Sequence, residues 1–285
     1  LHPRVRRQRQ MCIRDRYFKM ALMERKNIKK MIKDGEMVVG LTCQILDPAV
    51  AEIAGIAGFD YIRLEGEHLR PDWSDIRNYA LAADSVGIPL IIRVNDLDDL
   101  TAINDLGIAG YQIPHVQNAE QAKMIVDRIR YAPKGIRGFS RFVRAQKYGY
   151  TSFDEYANGI AEDMLLIVQI EDAEGLRNME EIIAVDGIDV ICSGKGDISQ
   201  ALGILGDMKS DLVRAEEEKL IKLAKKYGKK LMILGRDKED WINLVSHDCC
   251  TITEHVCDVE LLLNGAIQAR KEMQFLKDNK DKALK

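Results

Sequence analysis

The chain has 285 residues, of which 46% are hydrophobic and 31% are charged, a composition typical of a soluble globular protein with a sizeable core. No apolar run reaches the roughly 18–20 residues that span a bilayer, which argues against a membrane protein. The net charge of −3 combines +9 over residues 1–30 with −12 over the rest, and this acidic body offers no extended basic face for nucleic acid.

The N-terminal segment contains MCIRDR (11–16), which resembles the translation of a transposon adaptor used in preparing sequencing libraries. We therefore expect residues 1–19 to be a non-native or disordered extension, with the native start at Met20 or Met23 and a single domain over residues 20–285. The six cysteines show no spacing typical of a disulfide framework, so we expect a reduced, cytoplasmic protein.

Strands and helices alternate after this segment. Short apolar runs predict eight strands, at 37–43, 61–67, 89–95, 111–116, 165–171, 188–197, 229–235 and 250–256. Each run is followed by a segment with helical character, and the last helix is expected over about 259–276. The second helix has one apolar face, formed by Ile76, Tyr79, Ala80, Ala83 and Val86.

Strands that are apolar throughout are typical of a parallel sheet covered on both faces. Eight βα units in about 250 residues match the size of a (β/α)8 TIM barrel. A doubly wound sheet is the alternative, but it usually has fewer strands, and the first βα turn here lacks a glycine-rich phosphate motif. The sequence therefore predicts an α/β fold, a TIM barrel in one domain.

Catalytic residues of a TIM barrel collect where its strands end. The polar residues at the predicted strand ends are Glu65, Glu67, His68, Arg93, Gln169, Glu171, Lys195, Asp197, Glu254 and His255. Glu171 and Asp197 follow adjacent strands, so their carboxylates can converge, and two oxygen ligands with open positions suit Mg²⁺ or Mn²⁺. Each acid could instead cap a helix or pair with a neighbour.

Two further strand-end residues allow a catalytic and a structural interpretation. His68 suits proton transfer near neutral pH, although single histidines are more often structural. Arg93 can bind a carboxylate substrate, or it can form an internal ion pair with Glu65 or Glu67. The glycines of SGKGDIS (193–199) predict a tight turn that lets a ligand approach the backbone.

Together these segments resemble the HpcH/HpaI aldolase family, the metal-dependent class II pyruvate aldolases related to the citrate lyase beta subunit. The resemblance runs from about Gly40 to about Ala269, and its order of segments and the 26-residue step from Glu171 to Asp197 are its specific features. The matching segments are GFDYIRLEGEH, IIRVN, LGIAGYQIPHVQNAEQA, RYAPKGIRG, LLIVQIED, GIDVICSGKGDIS and LG at 202–203.

The resemblance implies roles for the strand-end residues. Glu171 and Asp197 would bind a divalent metal (Mg²⁺, Mn²⁺ or Co²⁺), His68 would be the catalytic histidine with Asp105 as its partner, and Arg93 would polarise the substrate. Gly194 and Gly196 would hold pyruvate through backbone N–H groups. The remaining residues assigned to substrate binding or to support of the site are Gln169, Lys195, Glu65 and Glu67.

The activity implied by the resemblance is retro-aldol cleavage of a 4-hydroxy-2-oxo acid, a 2-keto-3-deoxy sugar acid or a hydroxy-oxo-dioate, to pyruvate and an aldehyde. The metal would act as a Lewis acid, and His68 would help to take the proton from the C4 hydroxyl. The resemblance also implies a homo-oligomer, a hexamer of dimers that exchange the last helix. An apolar stripe on that helix fits this arrangement, and it consists of Leu261, Leu262 and Ile267.

Two positions depart from the family pattern, which usually has Asp in place of Glu65 and Pro in place of Lys195. A lysine on the sixth strand leaves open a Schiff-base aldolase that uses Lys195. A barrel that binds an oxo acid without turning it over is a further alternative. A thioester lyase of the citryl- or malyl-CoA type is another, although the sequence shows no clear nucleotide site beyond basic residues in the long loop: Arg141, Arg144 and Lys147.

Overall fold

The computed structural model describes residues 25–94, 96–235 and 238–283, without the side chains of 255 and 281–283. The predicted N-terminal extension lies outside the described residues. Eight parallel strands pair in chain order and close into a barrel, because β1 pairs with both β2 and β8. The strands are β1 Val38–Cys43, β2 Tyr61–Glu65, β3 Leu90–Arg93, β4 Gly110–Ile113, β5 Leu165–Ile170, β6 Val190–Ser193, β7 Lys230–Met232 and β8 Cys250–Cys257.

Helices follow the strands and surround the barrel, so the predicted TIM barrel is confirmed. They are α1 Ile28–Lys33, α2 Ala49–Ala57, α3 Trp73–Ser85, α4 Leu100–Asp105, α5 Ala119–Ile129, α6 Ala173–Arg177, α7 Met179–Ile183, α8 Lys195–Ala201, α9 Asp211–Tyr227, α10 Lys238–Val245 and α11 Asp258–Ala283. The predicted sixth strand was too long: it ends at Ser193, and Lys195 already opens α8.

Local sequence sets the ends of the longer helices. Asp72 and Asp75 form a reciprocal capping box at the start of α3, in which each side chain accepts from the backbone N–H of the other residue. Helix α9 begins after Ser210, whose hydroxyl accepts from the Val213 N–H, and it ends at Gly228 with a φ of 66°. These signals fix where α3 begins and where α9 begins and ends.

Side chains of β2 alternate between the barrel interior and the surrounding helices. Tyr61 belongs to the interior cluster, and Arg63 and Glu65 are buried on the same face of the strand. Ile62 and Leu64 belong to the cluster between the strands and the helices. The strand is therefore apolar on its helix-facing side, whereas its interior side changes from apolar to charged along its length.

The interior is apolar at the end where the strands begin, which we call the lower end. Its buried residues are Val38, Tyr61, Ile91, Ala109, Leu165, Ile167, Val190, Cys192, Met232 and Ile252. Ile28 and Ile32 of α1 pack into the same cluster. Arg25, just before α1, donates to the carbonyl of Gly107 ahead of β4, so α1 covers the lower end of the barrel. The opposite end, where the strands finish, is called the mouth.

Helix α11 leaves a row of apolar side chains exposed in the single chain. Leu261, Leu262 and Ile267 are 46%, 64% and 45% exposed. The predicted stripe therefore exists, and the hexamer stays a prediction. None of the described helices combines the length and the apolar character needed to cross a membrane.

Candidate active site

The end of β2 is shaped by the sequence Glu65-Gly66-Glu67-His68. The backbone N–H groups of Glu67 and His68 donate to Glu65 Oε1 at 2.8 and 3.1 Å. A side chain on Gly66 would place its Cβ 2.4 Å from the carbonyl oxygen of Arg93, so only glycine fits between the two acids. This turn brings Glu67 back towards the mouth.

A buried ion pair lies beneath this turn. Arg63 contacts Glu254 of β8 through Nη2 at 2.7 Å and through Nε at 2.8 Å, and it donates to Thr42 Oγ1 at 2.9 Å. Its Nη1 lies 3.1 Å from Glu65 Oε2. Because all of these groups are buried, Arg63 links the first, second and eighth strands and holds Glu65 from below.

Arg93 of β3 forms ion pairs with both acids of the turn. Its Nη2 lies 2.5 Å from Glu65 Oε2, and its Nε lies 3.2 Å from Glu67 Oε2. Nη1 takes part in neither contact. Burial of Glu65 disfavours its charge, but Arg93 and Arg63 outweigh this effect and lower the pKa of the carboxyl to about 2. Glu65 is therefore ionised at neutral pH.

Buried amides position Glu171, which follows β5. Gln112 of β4 donates to the amide oxygen of Gln169, and the Gln169 amide nitrogen donates to Glu171 Oε2. A Cβ on Gly194 would lie 2.1 Å from Glu171 Oε2 and 2.7 Å from Gln169 Nε2. The glycine before α8 therefore leaves the space that the Glu171 carboxylate occupies.

Negative charge accumulates around Glu171. Its burial, together with the nearby charges of Asp197 and Glu67, raises the pKa of its carboxyl to about 7, although the neighbouring His115 opposes the shift. The two predicted metal ligands, Glu171 and Asp197, therefore lie at the same edge of the barrel and interact electrostatically. A bound cation would relieve this repulsion.

His115, which follows β4, lies between two of the acids. Its Nε2 is 2.9 Å from Glu67 Oε1, its Nδ1 is 3.6 Å from Glu171 Oε1, and its backbone N–H donates to the same Glu171 oxygen at 3.2 Å. Its φ of 53° is in the left-handed region, which non-glycine residues seldom adopt. Atoms of Glu67, His115 and Glu171 lie within 4.8 Å of one another and could hold a metal ion.

The charges at the mouth also fit a divalent cation. Four carboxylates have side chains at most 7% exposed: Glu65, Glu67, Glu171 and Glu254. Among the described residues, two guanidinium groups, those of Arg63 and Arg93, contact these carboxylates as buried cations. Because four carboxylates face two guanidinium groups, the site carries excess negative charge when Glu171 is ionised, and this donor set fits an ion such as Mg²⁺, Mn²⁺ or Co²⁺.

His68 lies at the mouth, as its sequence position predicts. Its side chain is 66% exposed, and its Nε2 is 3.9 Å from Glu67 Oε2. The structure thus brings His68 close to the Arg93 ion pairs and the Glu171 edge, and its catalytic role stays a prediction. Gln169 is buried and donates to Glu171, and its predicted contact with substrate stays a prediction.

Asp105 is the predicted partner of His68, but within one chain it lies elsewhere. It is the last residue of α4, just ahead of β4, and therefore belongs to the lower end, opposite to the mouth. Its Oδ1 pairs with Arg137 Nη2 at 3.1 Å, and the same nitrogen donates to Tyr156. Asp105 therefore makes its described contacts with Arg137 at the other end of the barrel, and its partnership with His68 stays a prediction.

Lys195 is turned towards the helices. Its ammonium lies 3.4 Å from Glu217 of α9 and 3.8 Å from Asp240 of α10, and its side chain is only 10% exposed. The two acids provide the anions that the charge of Lys195 requires. Glu217 and Asp240 would therefore compete with a substrate carboxylate for Lys195, which the sequence predicts to bind substrate.

Several residues of the site were not predicted from the sequence. Arg63 and Gln112 each place a polar side chain inside an otherwise apolar strand, and such a residue on a buried strand needs a polar partner. A polar residue inside an apolar strand was therefore a signal in the sequence for a buried polar contact. His115 follows a proline after β4, and its left-handed backbone, which turns it towards Glu171, had no local signature.

Comparisons with known proteins agree with this geometry. Residues 39–247 match the model of the family described as HpcH/HpaI aldolase/citrate lyase. The chain is 36% identical to the hydroxypyruvate/pyruvate aldolase of Pseudomonas aeruginosa over 74% of this chain and 79% of that protein. It is 31% identical to the 5-keto-4-deoxy-D-glucarate aldolase of Klebsiella pneumoniae subsp. pneumoniae, over 72% and 80% of the two chains.

A crystal structure of an HpcH/HpaI aldolase/citrate lyase family protein from Burkholderia cenocepacia superposes with a TM-score of 0.79 at 25% identity, covering 87% of this chain and 98% of that one. The predicted family is thus confirmed by sequence and by fold. The chain belongs to the HpcH/HpaI aldolase/citrate lyase family.

Proposed function

We propose that the protein is a divalent-metal-dependent carbon–carbon lyase, which cleaves a 4-hydroxy-2-oxo acid to pyruvate and an aldehyde. One observation carries the proposal: a buried Glu171, positioned by Gln169 and given space by Gly194, interacts electrostatically with Asp197 in a mouth with excess negative charge. Such a concentration of carboxylates favours a divalent cation with oxygen ligands, some of which a substrate can supply.

The relatives support the substrate class. Their names describe enzymes that act on hydroxypyruvate, pyruvate and a keto-deoxy sugar acid. We propose the same class of 2-oxo acid for this chain, with pyruvate as the common product. A reduced, cytoplasmic location stays a prediction.

Glu171 and Asp197 would hold the metal. When bound, the ion supplies Lewis acidity to the carboxylate and 2-oxo oxygens of the substrate. Arg93 contributes positive charge near the 2-oxo oxygen, where negative charge develops as the C3–C4 bond breaks. Its Nη1 is the nitrogen that is not committed to Glu65 or Glu67.

His68 is the group placed to handle the proton. It is exposed at the mouth, where it can accept the proton of the C4 hydroxyl while C4 becomes the aldehyde carbon. The electron pair of the broken bond passes towards C3 and the 2-oxo oxygen. A proton delivered to C3 then completes the methyl group of pyruvate.

The experiment for this proposal is pyruvate release from a panel of 4-hydroxy-2-oxo acids. We expect activity with Mg²⁺, Mn²⁺ or Co²⁺, its loss in EDTA and its return when the metal is restored. Activity that is indifferent to chelation would contradict the metal role. No turnover of any substrate, with ligand binding retained, would support the oxo-acid-binding barrel instead.

The Schiff-base alternative makes a different prediction for Lys195→Ala. Because the ammonium already pairs with Glu217 and Asp240, we expect the variant to keep metal-dependent pyruvate release within about tenfold of wild type. An imine mechanism would lose all activity, since the nucleophile is gone. Borohydride treatment with pyruvate, followed by mass spectrometry, is the second measurement, and we expect no covalent adduct on either protein.

Arg144, one of the three basic loop residues, gives no support to the thioester-lyase alternative. Arg144 belongs to the lower end, where it donates to the Leu106 carbonyl at 2.6 Å and pairs with Asp84 at 2.5 Å. Within one chain it is therefore far from the mouth and already neutralised, so it does not provide a phosphate site beside Glu171.

A further inference from the structure

We propose that His115 is a ligand of the bound metal through Nδ1, while its Nε2–H is held by Glu67. This inference rests on the proposed function, because it concerns the same ion. It adds a nitrogen donor beside the predicted oxygen ligand Glu171, which lies in the same metal-ligating cluster, and so narrows the kind of metal that the site prefers.

The geometry fits a shared ion. Nδ1 of His115 lies 3.6 Å from Glu171 Oε1. Two donors that are each about 2.1 Å from one ion are separated by roughly 3.0–3.6 Å when they subtend angles of roughly 90–120°, so a single ion can contact both atoms.

The opposite ring nitrogen faces a carboxylate, an arrangement that is common among metal-bound histidines. Nε2 lies 2.9 Å from Glu67 Oε1, and Glu67 is itself held by Arg93 at 3.2 Å. A carboxylate that accepts the far N–H of an imidazole sets the tautomer, and it leaves the other nitrogen unprotonated for the ion. Glu67 is thus a positioning residue for His115.

Backbone strain supports a functional role. A φ of 53° costs free energy at a non-glycine residue, and residues held in this way cluster at ligand sites. The same conformation directs the His115 N–H to Glu171 Oε1 at 3.2 Å, so the backbone and the imidazole both face one carboxylate.

A nitrogen ligand changes metal selectivity. Imidazole suits late first-row metals, whereas a purely carboxylate and water site suits Mg²⁺. We therefore expect wild-type protein to bind Co²⁺ more tightly than Mg²⁺, and His115→Asn to reduce the ratio of the two affinities by about 10- to 100-fold. Asparagine is chosen because it tolerates the left-handed backbone.

The decisive measurement is pulsed electron paramagnetic resonance on the full chain loaded with Mn²⁺, with metal affinities from calorimetry. Wild type should show the ¹⁴N coupling of a coordinated imidazole, and His115→Asn should lose it. His68→Asn is the matched control: it removes a second imidazole at the mouth, and the coupling should persist.

Bound Mn²⁺ without nitrogen coupling in wild type, or coupling that persists in His115→Asn, would overturn the inference. If circular dichroism shows His115→Asn to be unfolded, His115→Gln and the wild-type spectrum take its place. Metal-dependent pyruvate release without nitrogen coupling would contradict His115 as a metal ligand and leave the proposed function standing. Nitrogen coupling without turnover of any oxo acid would instead sink the proposed function.

Discussion

Gly194→Ala is expected to lower kcat/KM for pyruvate release by about 10²-fold or more, because displacing a catalytic group by about 1 Å has costs of that order. The new Cβ would lie 2.1 Å from Glu171 Oε2 and 2.7 Å from Gln169 Nε2. Both groups are buried, so the carboxylate must move away from the position that the amide sets for it. Steady-state kinetics and Mn²⁺ affinity measure the effect.

Gly196→Ala is the matched control for this collision. Its Cβ would meet no atom within 4 Å, and alanine keeps the backbone N–H. We expect its loss of activity to be smaller than that of Gly194→Ala by at least about tenfold. Equal losses in the two variants would mean that the turn, rather than the space for Glu171, controls activity.

Glu65→Gln is expected to destabilise the protein by roughly 3 kcal/mol, because it removes the carboxylate that Arg63 and Arg93 share in a largely buried ion-pair network. Arg63 and Arg93 both contact Glu65, and their charges lower the pKa of its carboxyl to about 2. Chemical denaturation at pH 7 measures the loss. Asp34→Asn is the control, since its ion pair with Lys30 is exposed and should contribute little to stability.

The pH dependence of this difference follows from the sign of the shift. The pKa of Glu65 is lower in the folded protein than its ordinary value of 4.5, so ionised Glu65 stabilises the fold fully above that value. The stabilisation is lost as the pH falls through about 2. Wild type and Glu65→Gln should therefore converge in stability in acid, and a difference that stays constant down to low pH would contradict the assignment.

The fold was readable from the sequence because apolar strands and helical segments alternate eight times, and parallel strands in a closed barrel give that pattern. Strand bounds shifted by a few residues at most positions. The larger error was at β6, where Lys195 and Asp197 are helical and not part of the strand. A glycine before charged residues marks the end of a strand only weakly.

The sequence predicted those parts of the site in which the order of the strands alone brings residues together. The ends of the strands meet at the mouth, where Arg93 contacts Glu65 and Glu67. Glu171 lies near the same group, since His115 contacts both Glu67 and Glu171. Placing Asp105 needs three-dimensional information. Asp105 closes a helix at the far end of the barrel, and a family role carried over by sequence does not say on which face, or from which chain, a residue acts.

The apolar closure of the lower end by α1 has a practical consequence. Arg25 and the buried Ile28 and Ile32 anchor the start of the described chain beneath the barrel, on the side away from His68 and Glu171. A linker or solid support joined immediately ahead of this helix would attach the protein at the lower end of the barrel. An immobilised preparation tethered in that way would leave the catalytic opening facing the solution.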